Sequence, residues 1–345
     1  MSIETYIHAA PKAELHLHLE GAIQPSTLLI LAPRHGIDLP VSTVEGLSRW
    51  FVYQDFEHFR TVIRTWSSCL TTSDEYELVV HELGRELARQ NVRYAEVAFG
   101  PTNPYFRGIP QQVYMDGLNR GRRSARDEFG VEMNWVFELG RGPDQGPKTW
   151  DYTTQTAIEG RAEGVVSLGL SGPEYRHPTA AFAPWFERAR AAGLHSRPHA
   201  GELAEPSSIW DAIRELGAER IGHGVRAIED PPLVSYLAEH ALPLELCPTS
   251  NVCLGVYHAL EEHPFPVLYQ SGVILTVNSD DPSLFGATLT DELLTLVDPF
   301  GPNVGDIDML LLAAVRSSFL EPEQKAKLEA DIRMEMDELK AIHLG

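Results

Sequence analysis

Residues Ala13–Leu19 read AELHLHL, and this alternation decides how the chain is to be understood. In a strand, side chains two apart share a face, so His16 and His18 project one way and Leu15, Leu17 and Leu19 the other. Two imidazoles inside and three leucines toward covering helices describe a strand buried on both faces. Seven further β-rich apolar runs follow: Val92–Phe99, Met133–Leu139, Val165–Leu170, His195–Ala200, Arg220–Val225, Leu242–Cys247 and Val273–Asn278. The stretches between them are amphipathic, as in AFAPWFERARAAG and in SIWDAIRELG, which stops at Gly217. Strands alternating with helices give parallel βαβ units, and eight of them match a closed (β/α)8 TIM barrel. A doubly wound sheet would carry a Gly-rich phosphate turn after its first strand, and HLHLEG is not one.

The barrel is expected to be a single domain over residues 1–345. About 70 residues separate the first two strands, well beyond a minimal crossover of a dozen or so. Trp50, Phe51, Phe56, Phe59, Ile63 and Trp66 recur there at near-helical spacing. The spacing predicts a helical insertion over about 25–90, packed on the barrel and partly a lid over its mouth. Residues from about 286 to 345 read as terminal helices. GRGPDQGP, Gly140–Pro147, is a loop after the third strand.

Composition narrows the class without reaching the chemistry. Hydrophobic residues make up 43% and charged ones 22% of 345 residues, which excludes a disordered, collagenous or disulfide-scaffold chain. Three scattered cysteines fit a reducing compartment, and no apolar run reaches the roughly 18 to 20 residues of a membrane span. The first residues lack a secretory pattern, so a cytoplasmic location is expected. With 28 basic against 49 acidic side chains the net charge is −21, which argues against nucleic acid as a partner. Homo-oligomerisation is left open.

Chemistry-bearing residues gather at the strand ends. An HxH pair alone could be two hydrogen-bonded core histidines, although imidazole on a rigid strand also suits a metal ion. The fifth strand ends in HAGE, offering His199 and Glu202; the sixth carries GHG around His223; the eighth ends in NSDDP, with Asp280 and Asp281 adjacent. Barrel enzymes build their sites at the C-terminal ends of strands, and polar clusters on four of eight ends are poorly explained by packing.

In this order and spacing, PKAELHLHLEG, HAGE, RIGHGV, LCPTSN and NSDDP closely resemble the adenosine deaminase family of metal-dependent amidohydrolase barrels. The resemblance runs from Pro11 to about Phe285 and accounts for the helical insertion. It implies one Zn2+ held by His16, His18, His199 and Asp280, with Glu202 as proton donor to a purine ring nitrogen. It further implies that His223 orients the attacking water and either helps take its proton or stabilises its charge. On the substrate side it implies His18, Glu20, Gly172 and Asp281, the last two contacting ring nitrogens. The implied reaction is hydrolytic deamination of a 6-aminopurine nucleoside, adenosine first, with 6-aminodeoxyfutalosine or free adenine as alternatives.

Three departures bear on the substrate. Glu20 stands where adenosine deaminases typically carry Asp, Gly169 where many carry Asp, and AFGP lacks an arginine that many relatives place before the aromatic. No Arg or Lys cluster marks the strand ends, which speaks against phosphorylated purines. The fourth strand, VVSLGLSG, has no lysine to bridge two ions, so a single metal is expected. Cys247 and Cys253 do not form the P-C-x-x-C of the cytidine-type zinc deaminases and read as small apolar side chains. Competing classes are another amide or ester metallohydrolase, which needs no donor to a ring nitrogen, and a non-catalytic purine binder, which would have lost a ligand or Glu202.

Overall fold

A computed structural model describes residues 2–344, leaving aside the side chains of Phe56, Glu57, Arg60, His343 and Leu344. Eight parallel strands follow one another around a barrel: β1 (Lys12–His18), β2 (Val92–Phe99), β3 (Glu132–Gly140), β4 (Val165–Ser171), β5 (His195–Ala200), β6 (Ile221–His223), β7 (Leu244–Leu246) and β8 (Leu275–Val277). Closure comes from the segment after β8. His18 N–H donates to the Asp280 carbonyl at 2.9 Å, and Asp280 N–H donates to that of His16 at 3.0 Å. Asn278 Oδ1 adds to the seam by accepting the N–H groups of Leu15 at 2.9 Å and His16 at 3.1 Å.

All eight expected strands are present, but β6, β7 and β8 contribute only three residues each. The ladders of β7 and β8 begin two residues into their apolar runs, and at the other end the chain leaves the sheet where the site begins. His223 and Asp280 turn out of it with φ of 60° and 62°, and Pro248, which has no N–H to donate, opens a helix after β7. Positive φ is uncommon for residues with a Cβ, and here it falls on two of the predicted site residues.

Between β1 and β2 the helices Pro25–Leu31, Val44–Phe51 and Phe56–Ser68 precede the crossover helix Ser73–Arg89. Thr43 and Asp55 cap two of them by accepting the N–H groups of Gly46 and His58. The aromatic series divides by depth. Phe51 and Trp66 are buried and meet edge to face at 4.9 Å, whereas Phe59 and Ile63 face the barrel mouth. The Phe56 side chain lies outside the described residues. After β8 come Leu289–Thr295, Val304–Ser317 and Pro322–Leu344. Among the described residues no helix is long and apolar enough to cross a membrane.

Below the mouth the barrel interior is ionic. Arg197 donates to Glu245 at 2.6 Å and to Glu138 at 2.8 Å, and Arg220 donates to Glu245 at 2.6 Å and Glu96 at 2.5 Å. All five side chains are buried, so each charge depends on its partners for solvation. None of them stands out within the apolar runs of the sequence.

Candidate active site

His16, His18, His199 and His223 converge at the C-terminal mouth. The His16 ring centroid lies 5.4 Å from that of His18, 4.5 Å from His199 and 4.7 Å from His223. Register explains the close approach: His199 of β5 pairs with Gly222 of β6, where a Cβ would stand 2.7 Å from His199 Cδ2 and 3.3 Å from His16 Cε1. Only glycine leaves room for the two imidazoles. Asp280 reaches in from the closing segment beside β1, with Oδ1 3.2 Å from His18 Nε2 and 3.5 Å from His16 Nε2.

These donors suit a metal ion. Ligand atoms of His16, His18 and His199 lie within 4.8 Å of one another, as do those of His16, His223 and Asp280. His16 is fully buried, and neither of its ring nitrogens has a hydrogen-bond partner. Glu245 Oε2 comes within 3.2 Å of Nδ1, but without hydrogen-bond geometry. A buried imidazole left unsatisfied on both sides is costly, and a cation at the centre removes that cost. Three imidazoles and a carboxylate are also the donor types that bind zinc.

Ser250 Oγ donates to Asp280 Oδ2 at 2.6 Å, which separates the roles of the two carboxylate oxygens and leaves Oδ1 toward the histidines. Glu202 lies 3.7 Å from His223 Nε2 through Oε2. Burial, followed by the negative charges of Asp280 and Glu174, holds the Glu202 carboxyl well above its ordinary range, so it is neutral. Asp281 is also pushed up: burial comes first and prevails over the opposing pull of His18, with the carboxylates of Asp280 and Glu20 adding to it. Gly21 makes room for it, since a Cβ there would fall 1.7 Å from Asp281 Oδ1.

A cavity of about 390 Å3 opens over these groups. Its floor carries His18, His199, Glu202, His223, Asp280 and Asp281; Gly172 and Glu20 flank it; Tyr53, Phe59, Ile63, Leu254 and Phe285 form an apolar wall. Glu20 is fixed at the edge, where Oε1 accepts the Gly100 N–H at 3.2 Å and Asn103 Nδ2 at 3.1 Å. Gly172 follows β4 with φ +89°, beside the Arg141 backbone. Among the described side chains, which do not include that of Arg60, no lysine or arginine lines the cavity.

Of the nine residues singled out in the sequence, eight line the cavity and His16 lies against them without lining it. Sequence reasoning passed over Glu138, Glu174, Glu245, Ser250 and Arg141. Ser250 sits inside the quoted stretch LCPTSN, and Glu174 follows the predicted site residue Gly172 by two, so both could have been found there. Glu138 and Glu245 gave a weaker signal, a single acid inside an apolar strand.

The adenosine deaminase family model matches residues 11–335. The chain belongs to the adenosine deaminase family. Aminodeoxyfutalosine deaminase from Streptomyces avermitilis is 40% identical over 332 residues, covering 96% of this chain and 92% of the relative. The crystal structure of adenine deaminase from Arthrobacter aurescens superposes with a TM-score of 0.86 at 31% identity, covering 94% of this chain and 99% of that one. An amidohydrolase structure from Burkhoderia ambifaria, described with bound Zn, gives a TM-score of 0.89 at 25% identity, covering 98% of this chain and 94% of that one. Membership makes this protein a metal-dependent hydrolase of C–N bonds in cyclic amidines, a deaminase of adenine-like substrates.

Proposed function

We propose that this deaminase acts on 6-aminodeoxyfutalosine, a purine nucleoside extended at its 5′ position, and that its metal is a single zinc ion. The observation that carries the substrate is the cavity. At about 390 Å3 it lies among clefts of roughly 300 to 1,000 Å3 that bury a drug-sized ligand, and its apolar wall exceeds what a bare purine requires. No lysine or arginine among the described lining side chains offers a partner to a 5′-phosphate, which speaks against one. The 40% identity to the Streptomyces enzyme supports the same substrate and moves the reading away from the adenosine expected first. Free adenine is the alternative, favoured by likeness to the Arthrobacter enzyme and disfavoured by the unused apolar wall.

In this reading His16, His18, His199 and Asp280 hold the ion. When bound, it lowers the pKa of water to about 7 and so supplies a nucleophile at neutral pH. The remaining chemistry belongs to the chain. Glu202, kept neutral by burial, gives its proton to N1 of the ring as the C6–N1 π pair moves there and water oxygen bonds to C6. The proton released by that water passes to a group beside it, Asp280 or His223, and then to the amino group. The C6–N bond breaks and ammonia leaves, while the C6 hydroxyl loses its remaining proton, which restores Glu202, and the 6-oxo purine remains. Asp281, neutral in its buried position, donates to the imidazole-ring nitrogen, and the Gly172 N–H serves the remaining pyrimidine-ring nitrogen. Glu20 faces the sugar side.

The test is a panel of 6-aminodeoxyfutalosine, adenosine, adenine and AMP, followed by the absorbance loss on deamination. The highest kcat/KM is expected for the first compound. Preference for adenine would replace this substrate, and activity on none of them would remove the proposal.

A further inference from the structure

We infer that Asn251 and His263 are positioning residues that fix the tautomer of His223, so that its proton sits on Nε2 and faces the reacting centre. The inference begins from a group whose polarity is not in question. The backbone N–H of Phe265 donates to His263 Nδ1 at 3.2 Å. A backbone amide only donates, so Nδ1 carries no proton and the single proton of this ring is on Nε2. That Nε2 lies 3.2 Å from Asn251 Oδ1, which accepts it. The orientation of the Asn251 amide is thereby settled, and its NH2 group, a pure donor, meets His223 Nδ1 at 3.4 Å. His223 Nδ1 must be a lone pair, and the ring is neutral with its hydrogen on Nε2.

Asn251, His263 and His223 are exposed by 0%, 2% and 1%, so solvent cannot reverse one link of the chain. Reversing any link would press two donors or two lone pairs together in the interior, leaving buried polar groups unsatisfied. Neither Asn251 nor His263 lines the cavity. Asn251 sits in the short helix Pro248–Cys253 after β7, and His263 follows the turn Leu260–Glu262.

The consequence lies at the other nitrogen. His223 Nε2 is 3.7 Å from Glu202 Oε2 and 3.8 Å from Asp280 Oδ2, too far for a direct bond to either. An N–H there points at the space between them. Resting on the deaminase reading, His223 donates to the oxygen that adds to the ring and stabilises its charge, while the proton of that water passes to the Asp280 carboxylate. This chooses between the two roles left open for His223.

The tautomer can be read without turnover. The zinc-loaded enzyme, labelled with 15N-histidine, is examined by NMR, and the His223 resonances are assigned by their loss in His223→Gln. The expected wild-type pattern is protonated Nε2 and bare Nδ1. Asn251→Asp places acceptors toward both histidines, so the His223 proton is expected to move to Nδ1, with metal content and KM retained and kcat lower by roughly 10²-fold or more, as for a wrong-tautomer histidine. His263→Phe fills the same space without the Nε2–H and is expected to give a mixture of tautomers and an intermediate kcat. A wild-type proton on Nδ1, or an unchanged tautomer in both variants, overturns the inference. A tautomer that moves as expected in an enzyme inactive on every 6-aminopurine would instead overturn the deaminase substrate reading and leave the relay standing.

Discussion

The carboxylate of Glu174 holds the backbone of Glu202: its Oε1 accepts the Glu202 N–H at 2.9 Å and that of Leu203 at 2.8 Å, while Oε2 takes Gly201 N–H at 2.9 Å. The two acids are pushed to opposite protonation states. For Glu174, burial favours the neutral form, but the Arg141 charge and these N–H groups overcome it and lower its pKa. For Glu202, burial and then the charges of Asp280 and Glu174 raise it. One acid therefore anchors the turn as a carboxylate, and its neighbour keeps a proton to give.

Glu202→Gln should bind substrate and retain metal while kcat falls about 10²- to 10⁴-fold, the usual contribution of a positioned proton donor. Steady-state rates together with elemental analysis check this; wild-type turnover in the variant would remove Glu202 from the proton transfer.

The rate should fall on the alkaline side. The active form of Glu202 is protonated and its pKa is raised in the folded enzyme, so activity is full below that pKa and lost as pH climbs through it. Glu174→Gln removes one of the charges that raise it, so the alkaline limb of kcat/KM should move to lower pH. A limb that stays in place would show that Glu174 acts only as an anchor.

Gly222→Ala forces a methyl against His199 and His16. Overpacking of this kind costs about 1–3 kcal/mol, and displaced ligands should weaken metal affinity by roughly 10- to 100-fold. Metal retained after dialysis and Tm with and without added Zn2+ report the two effects separately. Wild-type retention would mean that the two rings can shift without loss of the centre.

Phe59→Ala removes part of the apolar wall and leaves the purine floor intact. Its KM should rise for the 5′-extended nucleoside by about 10-fold or more and stay near wild type for adenine. Equal changes for both would place Phe59 outside the recognition of the extension. In the same assay, Glu20→Asp shortens the carboxylate held by Gly100 and Asn103 and should alter the ranking among the nucleosides.

The sequence was informative where periodicity and chemistry coincide. His16 and His18 on one face of β1, and polar clusters at the ends of β5, β6 and β8, carry both the barrel and its donors in their spacing. It was mute where a partner is remote along the chain. Asn251 and His263 show no pattern that ties them to His223, and Glu138 or Glu245 inside an apolar strand looks the same whether it meets an arginine or water. Nothing in the apolar runs announces the turns out of the sheet at His223 and Asp280 either.

Local alternation and strand count, set by side-chain geometry within one segment, were enough for the architecture, and the motifs' resemblance to a known family pointed to the class of reaction and the candidate donors. Only the folded barrel decided which carboxyl keeps its proton, how large a molecule fits the mouth, and which nitrogen of His223 faces it. Those properties depend on burial and on neighbours from other strands, and both come into being when the sheet closes.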